Sequence, residues 1–261
     1  AGDSPDLGAK IVVITDNNKK YGDKISYELG MELFSKRKNL APKSFSAMNS
    51  LKEAKKLSKK NNKPILIADI WDNPGGGVPG DSTTLIKKAI SMKLKNIALG
   101  SIWDPLAVKL CHKAGENKEI NLNFGSKIMK ESGGPIHKKV FIKKIKKNVY
   151  QKFGRSLVPM GDSACITFDG IEVVLNSNRC QTFSTDLFSK LGINISKKNI
   201  IIVKSTNHFY ESFKPYVSEI IYASIDGIYP NNPKKNQYMK LKRKIWPIYS
   251  NPCLLYTSDA A

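Results

Sequence analysis

The chain has 261 residues, 41% of them hydrophobic, which is enough to bury a core in one large or two small domains. No apolar run approaches the roughly 18 residues of a membrane-spanning helix, so no membrane partner is expected. The net charge of +21 invites a nucleic-acid reading, but 39 of the 43 basic residues are Lys, scattered through nearly every segment, and only four are Arg; solvated lysine faces and no specific nucleic-acid partner are expected.

Lys10 to Thr15 reads as a strand, Asp16-Asn17-Asn18 as a turn, and Lys19 to Arg37 as a helix with apolar spacing at Ile25, Leu29 and Leu33. A second, lysine-rich helix runs from Ser46 or Asn49 to Lys60. Pro64 to Ile70 is a buried strand that enters a glycine-rich loop, and Thr83 to Met92 is the helix that leaves it, capped by Asp81 or Ser82. Asn96 to Ile102 is another strand. Asp104 caps a helix to about Lys113 with Pro105 at its first position. This alternation predicts an α/β fold with a mainly parallel sheet.

Near residue 120 the pattern changes. Ile120 to Phe124 and Val140 to Lys143 alternate, and Ala164 to Phe168, the turn Asp169-Gly170, and Ile171 to Leu175 form a strong hairpin signal. An inserted antiparallel β section is expected. The run Lys143 to Lys147 reads as a solvated strand end. Residues 185–192 suggest a short helix, Asn199 to Val203 a buried strand, Phe209 to Phe213 the start of a helix, and Ser218 to Tyr222 a further strand. From Pro230 the chain is polar and irregular.

The loop Asp72-Asn73-Pro74-Gly75-Gly76-Gly77-Val78-Pro79-Gly80-Asp81-Ser82 carries most of the chemical information. A strand, a glycine loop and a helix in succession let backbone approach a ligand and aim N–H groups at it. The spacing of Gly75, Gly80 and Ser82 nearly fits a phosphate-binding loop. That pattern needs Lys where Asp81 stands, and Pro79 removes one N–H, so nucleotide is disfavoured. A plain strand-to-helix turn is the alternative, yet two carboxylates and an amide exceed what a turn requires.

Ligands of open α/β sheets bind beyond the carboxyl ends of strands. Asp72 there could orient a metal ligand, bind an amine or transfer a proton, or else form a turn with Asn73 before Pro74. Asp81 reads as an active-site acid or a cap. Asn73, Gly75, Gly76, Gly77 and Ser82 are substrate-binding candidates. Trp103 offers an aromatic floor or core packing. Arg179 could clamp a carboxylate or form a structural ion pair. Lys204 to His208 masses polar residues after a second buried strand: Lys204 could bind a substrate carboxylate, and His208 could stabilise an oxyanion or shuttle a proton, or simply be a satisfied structural histidine. His112 reads as structural and His137 as a surface residue. The three histidines are far apart, so no zinc site is expected within this chain. The four cysteines form no C-x-x-C pair, and Cys111, Cys165 and Cys180, which lie outside the tail, read as reduced and structural, favouring a cytoplasmic setting.

The loop from Asp72 to Thr83 resembles the segment that opens the C-terminal domain of the microcystinase C (MlrC) family of metallopeptidases. Ile102-Trp103-Asp104-Pro105 with Cys111-His112-Lys113-Ala114-Gly115 resembles the family's next segment. Gly170 to Leu175 with Ser177-Asn178-Arg179-Cys180-Gln181, then Val203 to Phe209, then Leu241 to Pro247, resemble later ones in the family's order. The resemblance implies that residues 1–62 are the end of the N-terminal, metal-holding domain and 63–249 the C-terminal domain. Residues 250–261 form a tail without family counterpart, and Cys253 to Ala261 resembles translated sequencing adaptor. It further implies a zinc-dependent hydrolase of peptide or related amide bonds, with the metal ligands upstream and this chain inactive alone. A peptide or amide small molecule is the implied substrate, and a homodimer is left open. A non-catalytic module holding an anion or small ligand in the Gly75–Ser82 loop is the alternative from another class, and an inert truncated product is a third.

Overall fold

The structure is a computed structural model in which residues 3–40, 43–225 and 233–252 are described. It comprises two compact units, residues 1–43 with 232–261 and residues 44–231. The tail from Cys253 lies outside the described residues, as do positions 230–232 of the stretch read as polar and irregular.

In the first unit the expected helix is present as α1, Lys19–Leu40. The expected strand from Lys10 to Thr15 is not formed. Its odd positions pack on α1: Ile11 lies against Gly30, and Val13 and Thr15 against Gly22. Val12 and Ile14 face away, 76% and 92% exposed. Among the described residues no neighbouring strand takes up this segment's backbone groups, and an apolar run without a ladder partner is not a strand. Leu29 and Leu33, on the apolar spacing of α1, are also partly exposed, at 45% and 42%. Asp3 accepts the N–H groups of Met239 and Lys240, and Arg243 donates to the carbonyls of Asp6 and Leu7, tying the two ends of this unit together.

The second unit starts with β1, Ser44–Phe45, and α2, Ala47–Ser58, whose Ser46 cap accepts from Asn49 N. Then follow β2 (Ile65–Asp69), α3 (Thr84–Ser91), β3 (Ile97–Trp103) and α4 (Pro105–Ala114). Asp104 caps α4 by accepting from Ala107 N at 3.0 Å, as expected. The β section comprises β4 (Glu119–Phe124), β5 (Ile136–Phe153), β6 (Ser156–Phe168) and β7 (Ile171–Asn176). It ends with α5 (Asp186–Ser189), β8 (Ile200–Val203), α6 (Tyr210–Phe213) and β9 (Glu219–Ala223).

The nine strands among the described residues form one sheet, ordered β1-β9-β2-β8-β3-β7-β6-β5-β4. The pairs from β1 to β7 are parallel, and those from β7 to β4 antiparallel. The antiparallel section is thus an extension of the parallel sheet, with β7 belonging to both. Alternation along β2 and β8 sorts side chains to two cores. Ile65, Ile67, Ile200 and Ile202 pack with Leu51, Leu85, Ile86 and Val108. Leu66, Ala68, Ile201 and Val203 pack with Leu187, Phe188, Phe209 and Phe213. With both faces covered, β8 is apolar throughout and β2 is apolar up to its last residue, Asp69.

The lysine run 143–147 corrects its sequence reading. It lies in the middle of the 18-residue β5, not at a strand end. Lys143 Nζ donates to Glu172 on β7 at 2.5 Å, and Lys198 pairs with the same carboxylate. Burial works against the Glu172 charge, but the two lysines outweigh it and hold the carboxyl below its ordinary 4.5. A lowered carboxyl contributes stability above its unfolded value and loses it as pH falls through the folded one. Glu172→Gln should therefore lower the free energy of urea unfolding at pH 7 by about 1 kcal/mol. The difference from wild type should shrink as pH falls below 4.5. An equal deficit at pH 7 and pH 3 would show that the ion pairs do not stabilise the sheet.

Candidate functional site

β2 and β8 are parallel neighbours in which Ala68 lies opposite Val203. The next step along each strand puts Asp69 beside Lys204. Both are sealed from water, at 1% and 2% exposure. Lys204 Nζ lies 3.3 Å from Asp69 Oδ2 and makes a short hydrogen bond to Asp72 Oδ2. A buried ammonium is tolerated only when paired. Burial opposes the charge, but Asp72 and Asp69 together outweigh it and hold Lys204 above its ordinary 10.5.

Asp72 then organises the glycine loop. Its Oδ1 accepts from Gly80 N at 3.0 Å and its Oδ2 from Ser82 N at 2.7 Å. Asn73 Oδ1 accepts from Gly75 N at 3.0 Å, and the N–H groups of Gly76 and Gly77 donate to the Asn73 and Pro74 carbonyls. Gly80 is required here: its φ is +78° and a Cβ would stand 2.4 Å from Pro74 Cγ. The amides at 75, 76, 77, 80 and 82 are all satisfied by the chain itself. The anion cradle of the alternative reading is therefore filled from within, with the Asp72 carboxylate in the role of the anion.

Asp81 does not cap α3. The N-cap is Thr83, without a side-chain cap bond, and it is Ser82 Oγ that accepts from Thr84 N. Asp81 lies two residues before the N-cap and points to the turn after β4. There its Oδ2 accepts from Lys127 N and Ile128 N at 2.9 and 3.1 Å. Its Oδ1 is buried without a partner among the described residues. Asp104 grips the same turn, accepting from Gly125 N at 2.9 Å and pairing with Lys127 Nζ at 2.8 Å.

The loops after β2, β7 and β8 are stitched together. Asn73 Nδ2 donates to Thr206 Oγ1 at 2.9 Å, and Arg179 Nη1 donates to Val78 O at 3.0 Å. Ser205 Oγ donates to Gln181 Oε1 at 3.1 Å, and His208 Nδ1 lies 3.3 Å from the same oxygen. His208 is exposed, its ring against Phe153 and Phe183. Half-buried Trp103 donates from Nε1 to Ser177 O, and its N–H donates to Gly80 O.

The structure thus gathers Asp72, Asn73, Gly75, Gly76, Gly77, Ser82, Arg179, Lys204 and His208 on three adjoining loops, with Trp103 alongside and Asp81 turned to the 125–128 turn. His112 lies on α4 with Nε2 3.1 Å from Ser163 O, and His137 is exposed. Sequence reasoning missed Asp69, Gln181 and Lys127. Asp69 carried a signal, an acid inside an otherwise apolar buried run. Gln181 carried only its place in a family-like segment and Lys127 carried no signal, because their partners are distant in sequence. Burial pushes the Cys111 and Cys165 thiols up to about 12 and Cys180 to about 11, so these three stay protonated at neutral pH.

The family described as MlrC C-terminus matches residues 67–240. The chain belongs to the MlrC family. Microcystinase C from Sphingomonas sp is 30% identical over 251 residues, which are 95% of this chain and 48% of that protein. A crystal structure from Mesorhizobium sp. BNC1, provisionally named a metallopeptidase, shares the fold with a TM-score of 0.72 at 17% identity, over 90% of this chain and 47% of that one. This MlrC-family chain spans about half the length of the relatives it matches. Metallopeptidase relatives imply a metal. Among the described residues no three His, Cys, Asp or Glu side chains are grouped to hold one, and the Asp69–Asp72 pair already has Lys204 against it. The described residues of this chain do not by themselves fit a metal ion.

Removing the Lys204 charge should leave two buried carboxylates uncompensated. Lys204→Met is expected to cost about 3–5 kcal/mol in urea unfolding at pH 7. Adding Asp69→Asn should recover part of that loss. Because Lys204 is raised, its contribution is full below 10.5 and fades only as pH rises through the higher folded value. A loss under 1 kcal/mol would show that the buried pair does not anchor the loop.

Proposed function

We propose that this chain forms one wall of a cleft that hydrolyses peptide or related amide bonds, with zinc held by residues outside the chain. The observation that carries this reading is the family match over residues 67–240, which spans every loop of the site. Zinc, when bound in such an enzyme, would polarise the scissile carbonyl and activate water.

The roles we assign to this chain follow from what each group is free to do. Asp72, with both oxygens engaged and Lys204 against it, holds the loop in shape. The exposed stretch Gly75 to Gly77 lets a substrate backbone approach closely. Asn73, Ser82, Trp103 and Arg179 are the residues we assign to orienting the substrate. His208, exposed beside Gln181, handles a proton or an oxyanion. Asp81, with one oxygen unpartnered among the described residues, is the second candidate for proton transfer. The saturated loop amides argue against the anion-binding module as a competing function.

Two measurements test this. Elemental analysis of the dialysed chain should find well below one zinc per chain. One tightly held zinc would place the ligands inside it and overturn the division of labour. In an MlrC-family enzyme of full family length carrying these loops, His208→Gln should lower kcat by about 100-fold at unchanged melting temperature, the usual scale for a positioned proton-transfer group. Full peptidase activity in both His208→Gln and Asp81→Asn would remove these residues from the chemistry.

A further inference from the structure

The histidine at the mouth of the site has two ring nitrogens, and which one carries the proton decides what the ring can do. His208 Nδ1 faces the side-chain oxygen of Gln181 at 3.3 Å. A carboxamide oxygen has lone pairs and no proton to give, so a neutral imidazole facing it must present an N–H. Gln181 is unusually well placed to impose this. It is 8% exposed, its carbonyl accepts from Gln151 Nε2 at 2.8 Å, and the next residue, Thr182, donates its N–H to the Lys204 carbonyl at 3.1 Å. Its Oε1 also receives the hydroxyl of the fully buried Ser205 at 3.1 Å. Its amide nitrogen stands over Gly75, so close that a Cβ there would meet it at 2.5 Å. One side chain thus touches the loops after β2 and β8 at once. The ring of His208 is held edge-on by Phe153 at 5.0 Å and stacked on Phe183 at 5.7 Å between centroids.

We propose that Gln181 is a positioning residue that locks neutral His208 as the Nδ1–H tautomer, leaving the Nε2 lone pair as the group offered to substrate. The glycine at position 75 is part of the device, since any side chain there would displace the Gln181 amide. The role given to the Nε2 lone pair rests on the proposed hydrolytic function, whereas the tautomer itself does not.

The test reads the ring directly. The chain has three histidines, so the imidazole nitrogens of a 15N-histidine sample can be assigned by comparison with His208→Gln. The sample is held at a pH of about 9, well above the range in which free imidazole titrates. In the wild-type chain, long-range proton–nitrogen correlation should show His208 protonated at Nδ1. Gln181→Leu removes the acceptor and should return the ring to the Nε2–H form that free imidazoles favour. Gln181→Glu keeps an acceptor in place and should retain Nδ1–H. A dispersed, wild-type-like amide spectrum confirms that each variant is folded. An Nε2–H ring in the wild type, as would follow if the Gln181 amide were turned over, overturns the proposal. So does an unchanged Nδ1–H ring in a folded Gln181→Leu protein. Because no turnover is measured, the result is separate from the peptidase assay described above.

Discussion

The ammonium of Lys204, buried beside the carboxylates of Asp69 and Asp72, is the contact on which the candidate site depends. Three charges without water are stable only as a unit, and removing one leaves the others exposed to the full cost of desolvation. The unit joins two adjacent strands to a loop. Asp69 is the last residue of β2, Lys204 follows β8, and Asp72 enters the glycine loop. Asp72 also accepts two loop amides. The path of the loop is therefore set by charge pairing below it and by its own hydrogen bonds, with no ligand needed to order it.

This arrangement explains why a loop so rich in glycine is not a phosphate cradle. Amides that would face an anion are turned inward to Asp72, Asn73 and Pro74. What the loop shows to solvent is the backbone of Gly75 to Gly77, without side chains to fend off a substrate. Around it stand groups drawn from other strands: Arg179 after β7, and Ser205, Thr206 and His208 after β8. A parallel sheet makes this convergence natural, because the loops that leave its strands at the carboxyl ends emerge on one side. The antiparallel extension contributes too, since the end of β5 carries Phe153 to the His208 ring.

The second buried carboxylate, Asp81, follows a different logic. It and Asp104 fold the turn after β4 around themselves, so that an acid from the glycine loop and the cap of α4 share one clasp. The glycine loop is thus tied on one side to the centre of the sheet and on the other to the β4 turn. Rigid support of this kind is what keeps loop residues in a fixed relation to one another.

Much of this was legible in the amino-acid sequence. The apolar runs at 65–69, 97–103 and 200–203, the Asp104-Pro105 cap and the Asp169-Gly170 hairpin are local signals, set by periodicity and by the backbone preferences of single residues, and the elements formed where those signals lie. The family motifs named the loops that would meet. The sequence could not say what each polar residue would touch. Lys204 read as a binder of substrate carboxylates, and only the β2–β8 register set it beside Asp69. Asp81 read as an active-site acid or a helix cap, and only the packing of the β4 turn gave its carboxylate the amides of Lys127 and Ile128. Gln181 stood in a family-like segment but was given no role, because its partners lie 24 and 27 residues away. The apolar run at 10–15 carried a local strand signal, yet a strand also requires a neighbour, which no local pattern supplies. Local chain preference decides which elements form, whereas the pairing of buried charges and amides is decided by which strands become neighbours, and that is a property of the tertiary fold alone.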